Sequence, residues 1–204
     1  MLNEVKVAFQ ENKLAICSSA AILIISMILG YFLEPYAYGY MNPVLENLAR
    51  QVESGAIQLT FADIFFNNLR VIFMMFIFGV IFCFSTLILA FNGFFVGYYV
   101  AVSRNIQVLL YIIPHGIFEL SSCVLACSSG LILFNFIYKF FKALLYQENK
   151  PFSEKLTDSF ESSYDKLIHA CVIFLVSIAL MAISGFIEAY LTIPIARFVI
   201  SILS

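Results

Sequence analysis

The amino-acid sequence predicts an all-α fold, a polytopic bundle of about five transmembrane helices that forms a single domain over residues 1–204. Hydrophobic residues make up 62% of the chain and charged residues 12%, whereas soluble proteins average about 45–50% and about 25%. Strand-like alternation is absent, and lipid offers no partner to unpaired backbone groups, so helices are the expected spanning elements. Four stretches contain no charged residue: 14–33, 71–103, 120–138 and 167–187.

Four spans follow from these stretches, because a spanning helix needs about 20 mostly apolar residues. The first is predicted near 14–33, the second near 66–91, the fourth near 117–141 and the fifth near 167–190. The first has few positive charges before it and no small-residue cleavage site after it. This is typical of a retained helix rather than of a signal peptide.

The third span is less regular than the others. Its stretch, 93–113, is interrupted by residues that favour breaks in a helix, namely Gly93, Gly97, Arg104 and Pro114. We expect either a broken span or a re-entrant hairpin here. The Asn92-Gly93 dipeptide is typical of a tight turn with positive φ. Gly93 and Gly97 also have the small-xxx-small spacing that permits close helix contact.

Basic residues near span ends predict the orientation in the membrane. The N-terminal arm holds two lysines and 139–166 holds five, whereas 34–65 holds one arginine and several acids. We therefore expect a multi-pass protein of the cell membrane with a cytoplasmic N-terminus, an ordered cytoplasmic loop at 142–166 and an external C-terminus. The apolar tail, 192–204, is expected at the interface or packed back on the bundle.

The external segment is predicted to carry an amphipathic helix at 42–56, on the outer membrane surface. Asn42 can cap it, Pro43 suits its first turn and Gly55 can stop it. Capping-box spacing precedes two spans, the second and the fifth, at Thr60 with Asp63 and at Ser162 with Asp165.

Ionisable residues inside apolar stretches need partners, because an unpaired charge in lipid is expensive. His115 and Glu119 are four residues apart, so a helix places them on one face. In a structural interpretation, Glu119 pairs with His115, Arg70 or Arg104 and fixes the helices to one another. Glu188, near the end of the fifth span, either reaches towards water or binds His115.

Two other interpretations of this pair stay open. One is a metal ion, since an imidazole and a carboxylate one turn apart can share an ion. The candidate ligands are His115, Glu119 and Glu188, with Cys123 as another third ligand. The other is a proton or substrate path in which Glu119 titrates. Neither a nucleophile elbow nor a Walker-type loop occurs in the sequence, so no nucleotide-hydrolysis machinery is expected in this chain. No cofactor is expected apart from such a metal ion.

The polar motifs occur in a fixed order along the chain. They are Asn67-Asn68-Leu69-Arg70, Asn92-Gly93, Pro114-His115-Gly116-Ile117-Phe118-Glu119, Gly130, and Ile187-Glu188-Ala189 before Pro194. With these motifs the chain resembles the stage II sporulation protein M family, also called DUF95, over nearly its whole length. One departure is visible: the family usually follows the Glu with an apolar residue, a Pro and a small residue, whereas Leu120 here precedes Ser121 and Ser122.

The resemblance implies a multi-spanning membrane protein without established catalysis. The family's namesake works with two secreted peptidoglycan-degrading partners and is thought to hold them at the engulfing septum. We expect a non-enzymatic scaffold that organises a membrane or cell-envelope-remodelling complex. His115, Glu119, Glu188 and Arg70 then lock the bundle. The alternatives are a transporter or channel component with a buried His-Glu site and, less supported, a membrane-embedded metal-dependent hydrolase.

Composition also limits the partners. The 11 Lys and Arg do not exceed the 13 Asp and Glu, so no basic surplus neutralises phosphates and nucleic-acid binding is not expected. Five cysteines within apolar runs do not form a disulfide framework. The expected partners are the lipid bilayer, membrane or envelope proteins, and a second copy of the chain through small residues suited to helix contact.

Overall fold

A computed structural model describes residues 2–54, 60–104, 106–146 and 151–203. These residues are helical and contain no strand. The helices are α1 (Leu2–Glu11), α2 (Lys13–Phe32), α3 (Glu34–Glu53), α4 (Phe61–Ile77), α5 (Phe82–Ser103), α6 (Ile106–Tyr146), α7 (Phe152–Phe186) and α8 (Thr192–Leu203). A 3₁₀ turn, Phe78–Val80, follows α4, and a π-helical turn, Ile187–Leu191, joins α7 to α8.

The prediction of an all-α membrane bundle is confirmed. Five helical stretches are long and apolar enough to cross a membrane: Lys13–Phe32, Phe61–Val80, Phe84–Ser103, Ile112–Tyr146 and Phe152–Val199. They are the spans of a multi-pass membrane protein.

The directions of two helices follow from their hydrogen bonds to α6. Ser184, near the end of α7, donates a hydrogen bond to the carbonyl of His115 near the start of α6, over 3.0 Å. Further along α6, Ser128 donates to the carbonyl of Ala15 at the start of α2, over 3.3 Å. Both α2 and α7 therefore run antiparallel to α6. We name the two ends of the bundle after their histidines, the His115 end and the His169 end.

The core lies around α6, which is the central helix of the bundle. Every residue from 122 to 130 is buried, as expected of a helix that contacts neighbours on all sides. The side chains around it come from α2, α4, α5 and α7. The main core cluster consists of Leu23, Ile72, Met75, Leu89, Cys123, Val124, Ala126, Cys127, Phe174 and Met181.

Glycines bring α2 and α5 together at backbone distance. A Cβ atom built on Gly30 would overlap the carbonyl of Phe94, and one on Gly97 would overlap the carbonyl of Met27. A Cβ atom built on Gly93 would overlap the hydroxyl oxygen of Ser26. The small-xxx-small interpretation of Gly93 and Gly97 therefore describes the observed contact, because only residues without a Cβ allow it.

The predicted boundary between the second and third spans is wrong. The predicted span 66–91 is divided by the 3₁₀ turn after α4. The stretch 93–113 is unbroken at Gly93 and Gly97, because α5 is helical from Phe82 to Ser103, but α5 ends at Arg104 and the rest of the stretch belongs to α6. Asn92-Gly93 lies inside α5 rather than in a tight turn. The chain reverses at Gly79 instead. The backbone of Gly130 lies so close to Gly79 that a side chain there would overlap it.

The amphipathic helix begins earlier than predicted. The helix expected at 42–56 is part of α3, which starts at Glu34, one residue after α2 ends its last turn at Leu33. Asn42 is not a cap, since its Nδ2 donates to the Glu46 carboxylate over 2.7 Å. The predicted stop at Gly55 lies outside the described residues.

The predicted cytoplasmic loop at 142–166 is largely helical. Past Gly130, where the α4–α5 turn packs, α6 continues to Tyr146, and α7 begins again at Phe152. We name residues 133–146 and 152–166 the α6–α7 hairpin; its two arms meet at Phe136 and Phe160, whose ring centroids are 6.1 Å apart. The fourth and fifth helices therefore extend well past 117–141 and 167–190, because helix formation does not stop where the apolar run stops.

The two capping predictions have opposite outcomes. Thr60 caps α4: its Oγ1 accepts from the Asp63 backbone N–H over 3.2 Å and donates to the Asp63 carboxylate over 2.5 Å. The Ser162–Asp165 cap is wrong, because both residues lie inside α7. The Ser162 hydroxyl there donates to the carbonyl of Ser159 over 2.9 Å.

Candidate functional site

Three ionisable side chains converge at the His115 end of the bundle. His115 and Glu119 come from α6, and Glu188 comes from the π-helical turn after α7. One potential ligand atom of each lies within 4.8 Å of the other two. Each of these three residues was identified from the sequence as a candidate, and the fold brings them together. We name them the His-Glu-Glu cluster.

Local structure explains how α6 presents its two members. Pro114 lies in the third turn of α6, where its ring removes one backbone donor. His115 and Glu119 follow one turn apart and share a face. Gly116 is buried beside them, and the nearest atom to a Cβ built on it would be Ile112 Cγ2 at 3.3 Å.

Glu188 is supplied by an irregular part of the α7–α8 helix. The π-helical turn Ile187–Leu191 inserts an extra residue into the helical path, and such turns occur often at functional sites. Thr192 closes it: both its backbone N–H and its hydroxyl reach the carbonyl of Ile187, the hydroxyl over 3.1 Å. The turn therefore has a defined geometry and holds Glu188 beside α6.

Thr192 also orients the imidazole of His115. Its Oγ1 lies 3.2 Å from His115 Nδ1. A hydroxyl has one hydrogen, so when Thr192 donates to the Ile187 carbonyl, the Nδ1–H of His115 is the donor in this contact. The neutral imidazole then keeps the lone pair of Nε2 free. Ser184, which donates to the His115 carbonyl, fixes the backbone at the same point.

A cavity of about 340 Å³ adjoins Glu119 between α4, α5, α6 and α7. Its polar lining consists of Asn68, Asn92 and Glu119, together with the thiol of Cys123. Asn92 Nδ2 donates to Cys123 Sγ over 3.5 Å. The remaining lining is apolar: Val71, Met74, Ile88, Phe91, Phe95 and Met181. Space for a small molecule therefore exists beside the carboxylate.

Three predicted site residues lie away from the cluster. Asn67 and Arg70 are exposed on α4. Two positions on a helix correspond to a rotation of about 200°, so Arg70 faces away from the cavity that Asn68 lines. Arg104 ends α5 in a left-handed conformation with φ of 45° and is exposed. No lysine or arginine of the described residues forms an ion pair with Glu119 or Glu188.

Sequence reasoning missed Ser184 and Thr192. Serine and threonine are frequent in transmembrane helices, so neither residue stands out in the sequence. The spacing of Thr192 from Glu188 is informative only once the π-helical turn is known, because that turn changes which residues share a face.

A second polar cluster, at the His169 end, was also missed. The buried Asn12, between α1 and α2, donates from Nδ2 to the Ala8 carbonyl over 2.7 Å and lies 3.2 Å from His169 Nδ1. Lys166 Nζ contacts Glu11 Oε2 at 3.2 Å and Asn12 Oδ1 at 3.4 Å. These bonds join the α1–α2 corner to α7.

The fold and the cluster define a class of protein: a polytopic helical membrane protein with a His-Glu-Glu cluster near one end of its spans. The model of the family named stage II sporulation protein M matches residues 19–193. The chain belongs to that family. The match contains the three middle spans in full, most of the first and fifth spans, and every member of the cluster.

Two archaeal proteins are similar to this chain, both from Methanocaldococcus jannaschii. Uncharacterized protein MJ0793 is 36% identical over 151 residues, which are 71% of this chain and 78% of the relative. Uncharacterized protein MJ0706 is 24% identical over 201 residues, covering 94% of this chain and 87% of the relative. No solved structure matches the chain.

Proposed function

We propose that this protein is a non-enzymatic membrane scaffold that organises a complex of membrane or cell-envelope proteins. The observation that carries the proposal is the α6–α7 hairpin, which extends beyond the α4–α5 turn. Large apolar side chains are exposed along both arms: Tyr138, Phe141, Leu145, Tyr146, Phe152, Phe160 and Tyr164. Aromatic residues in this arrangement are typical of protein interfaces.

The opposite end of the bundle offers a second exposed element. Helix α3 follows α2 there, and its Tyr36 and Tyr40 are more than four-fifths exposed at 82% and 83%. A scaffold needs surfaces that bind other chains without reacting with them, and a surface at each end suits that role. The membrane bundle itself is consistent with a role at the cell envelope.

Orientation and partners belong to the same proposal. The lysines of the α6–α7 hairpin and of α1 support a cytoplasmic location for that end, by the positive-inside rule. The helix α3 then lies outside. The partners are envelope or membrane proteins, the surrounding lipid, and a second copy of the chain.

Site-specific photo-cross-linking in native membranes tests the scaffold. A photoreactive residue at Tyr146 or Phe152 is expected to give discrete protein adducts, because partners dock on the hairpin. The matched control is Phe73, an aromatic residue of α4 that is half exposed in the middle of a span; it is expected to label lipid. Lipid adducts alone at all three positions would contradict the proposal.

One part of the motive for the transporter alternative, a break at Gly93 or Gly97, is absent, since α5 is continuous from Phe82 to Ser103. The cavity beside Glu119 is the observation that favours it. Flux of ions or small solutes into liposomes, abolished by Glu119→Gln, would support a transport role and replace the scaffold proposal.

A further inference from the structure

The two carboxylates of the His-Glu-Glu cluster have no part in the scaffold role proposed above. Two carboxylates, Glu119 and Glu188, lie near each other within helical spans, and no lysine or arginine of the described chain pairs with them. Glu119 also has no hydrogen-bond donor among the described residues. Two like charges in an apolar setting are costly unless a cation or protons neutralise them.

We propose that His115, Glu119 and Glu188 bind one divalent first-row transition-metal ion, with Zn²⁺ as its type. The two positive charges of a divalent cation neutralise the two negative charges of the carboxylates. The neutral imidazole adds a ligand without adding charge. The ion would therefore leave an uncharged site inside the bundle. This proposal is independent of the scaffold role.

The distances suit such an ion after a small adjustment of side chains. Ligand atoms about 2.1 Å from Zn²⁺ in a tetrahedral site lie about 3.4 Å apart. The three candidate atoms already lie within 4.8 Å of one another. Rotation of the two glutamate side chains is enough to close the difference, because each has three flexible torsions.

The surroundings match those of a metal ligand in a second way. A metal-binding histidine usually donates its other ring N–H to a neighbouring group, which fixes the ring and its tautomer. Thr192 provides that contact at His115 Nδ1, and the hydroxyl is itself held by the Ile187 carbonyl. This leaves Nε2 as the ligand atom.

The ligand set favours one class of metal. An imidazole with two carboxylates suits Zn²⁺, Fe²⁺ or Mn²⁺, whereas Mg²⁺ prefers oxygen ligands alone in an octahedral shell. Three protein ligands also leave at least one coordination position open. The cavity of about 340 Å³ beside Glu119 provides space for the water or small molecule that would occupy it.

Metal analysis of the full chain, purified in detergent, is the first test. Elemental analysis after expression with added zinc is expected to give about one ion per chain. Titration of metal-depleted protein with Co²⁺ is expected to give visible d–d absorption bands that reach a plateau near one equivalent. Neither ion retained above the level of a detergent blank would overturn the proposal.

Variants then assign the ligands. Glu119→Gln and His115→Ala are each expected to weaken Co²⁺ binding more than about 100-fold, beyond the loss usual for an outer-sphere contact. The matched controls are Glu46→Gln, on an exposed glutamate, and His169→Ala, at the other end of the bundle. Unchanged Co²⁺ affinity in Glu119→Gln and His115→Ala, or equal losses in the controls, would overturn the assignment.

Folding is monitored separately, by helical circular dichroism and a monodisperse elution profile. If Glu119→Gln does not fold, Glu188→Gln carries the same test from a different helix. A folded Glu188→Gln variant with the wild-type Co²⁺ spectrum and affinity would exclude Glu188 as a ligand and overturn the three-residue site.

Discussion

Ser122 of α6 and Ser177 of α7 exchange hydrogen bonds across the two helices. Ser122 Oγ donates to the Ser177 carbonyl over 2.8 Å, Ser177 Oγ donates to the Ser122 carbonyl over 2.9 Å, and the two hydroxyl oxygens are 3.0 Å apart. Both residues are fully buried. Ser122 stands where the family usually has another local pattern, and α6 remains a continuous helix there.

This reciprocal pair predicts a modest contribution to stability. Ser122→Ala and Ser177→Ala each remove one hydroxyl donor while the carbonyl that accepts from the other residue remains. Each is expected to lower the free energy of unfolding by roughly 0.6 kcal/mol, the average for such bonds in membrane bundles. Unfolding in mixed micelles measures this. Ser103→Ala, whose hydroxyl bonds only within α5 over 2.7 Å, serves as the control and is expected to change little.

The contact between α2 and α5 predicts a strong effect of a single methyl group. Gly97→Ala places a Cβ against the Met27 carbonyl and must push the two helices apart, at a cost of about 1–3 kcal/mol. Gly39→Ala in α3 is the matched control, because among the described residues no atom beyond the local helix backbone and the two chain neighbours lies within 4 Å of the added Cβ. It is expected to be neutral or stabilising by up to about 1 kcal/mol. Similar melting temperatures for the two variants would rule out close packing at Gly97.

The contact of Thr192 with His115 predicts that Thr192 affects metal affinity although it is not itself a ligand. Thr192→Val removes the hydroxyl that orients His115 and is expected to weaken Co²⁺ binding about 10–100-fold. Thr192→Ser keeps the hydroxyl and should restore the affinity. A purely structural role would instead lower the stability of metal-free Thr192→Val and leave the Co²⁺ affinity at its wild-type value.

The polar cluster at the other end predicts local loosening. Asn12→Ala removes the groups that bond Ala8, His169 and Lys166, and so leaves polar partners unsatisfied at a cost of about 1–3 kcal/mol. Hydrogen exchange is expected to become faster in α1 while α5 keeps its protection. Asn3→Ala, at an exposed position of α1, is the control; equal exchange in both variants would show that Asn12 does not hold the corner.

The sequence predicts the first span closely, because charged residues flank it at Lys13 and Glu34 and none lies within it. The turn after α4 escaped prediction for a physical reason. Phe78, Gly79 and Val80 carry no polar side chain, since the reversal is specified by close packing of Gly79 on Gly130 rather than by contact with water.

The predicted tight turn at Asn92-Gly93 is wrong because the prediction assumed contact with water. In a soluble protein the dipeptide favours a solvated turn, but here Asn92 faces a cavity and bonds Cys123, and the absent side chain of Gly93 admits α2. The individual members of the His-Glu-Glu cluster were found from their cost in an apolar stretch. Their common position depends on the π-helical turn, for which the sequence has no marker.

Helix α6 rigidly connects the His-Glu-Glu cluster with the tip of the α6–α7 hairpin. From His115 to Tyr146 it is unbroken, since Pro114 precedes this part, and at 1.5 Å per residue it measures about 47 Å. A tilt of about 5° around His115 would move Tyr146 by about 4 Å over that length. A partner that shifts the hairpin by such an amount therefore strains the packing around His115 and Glu119, and rigidity imposed there restricts the far tip in return.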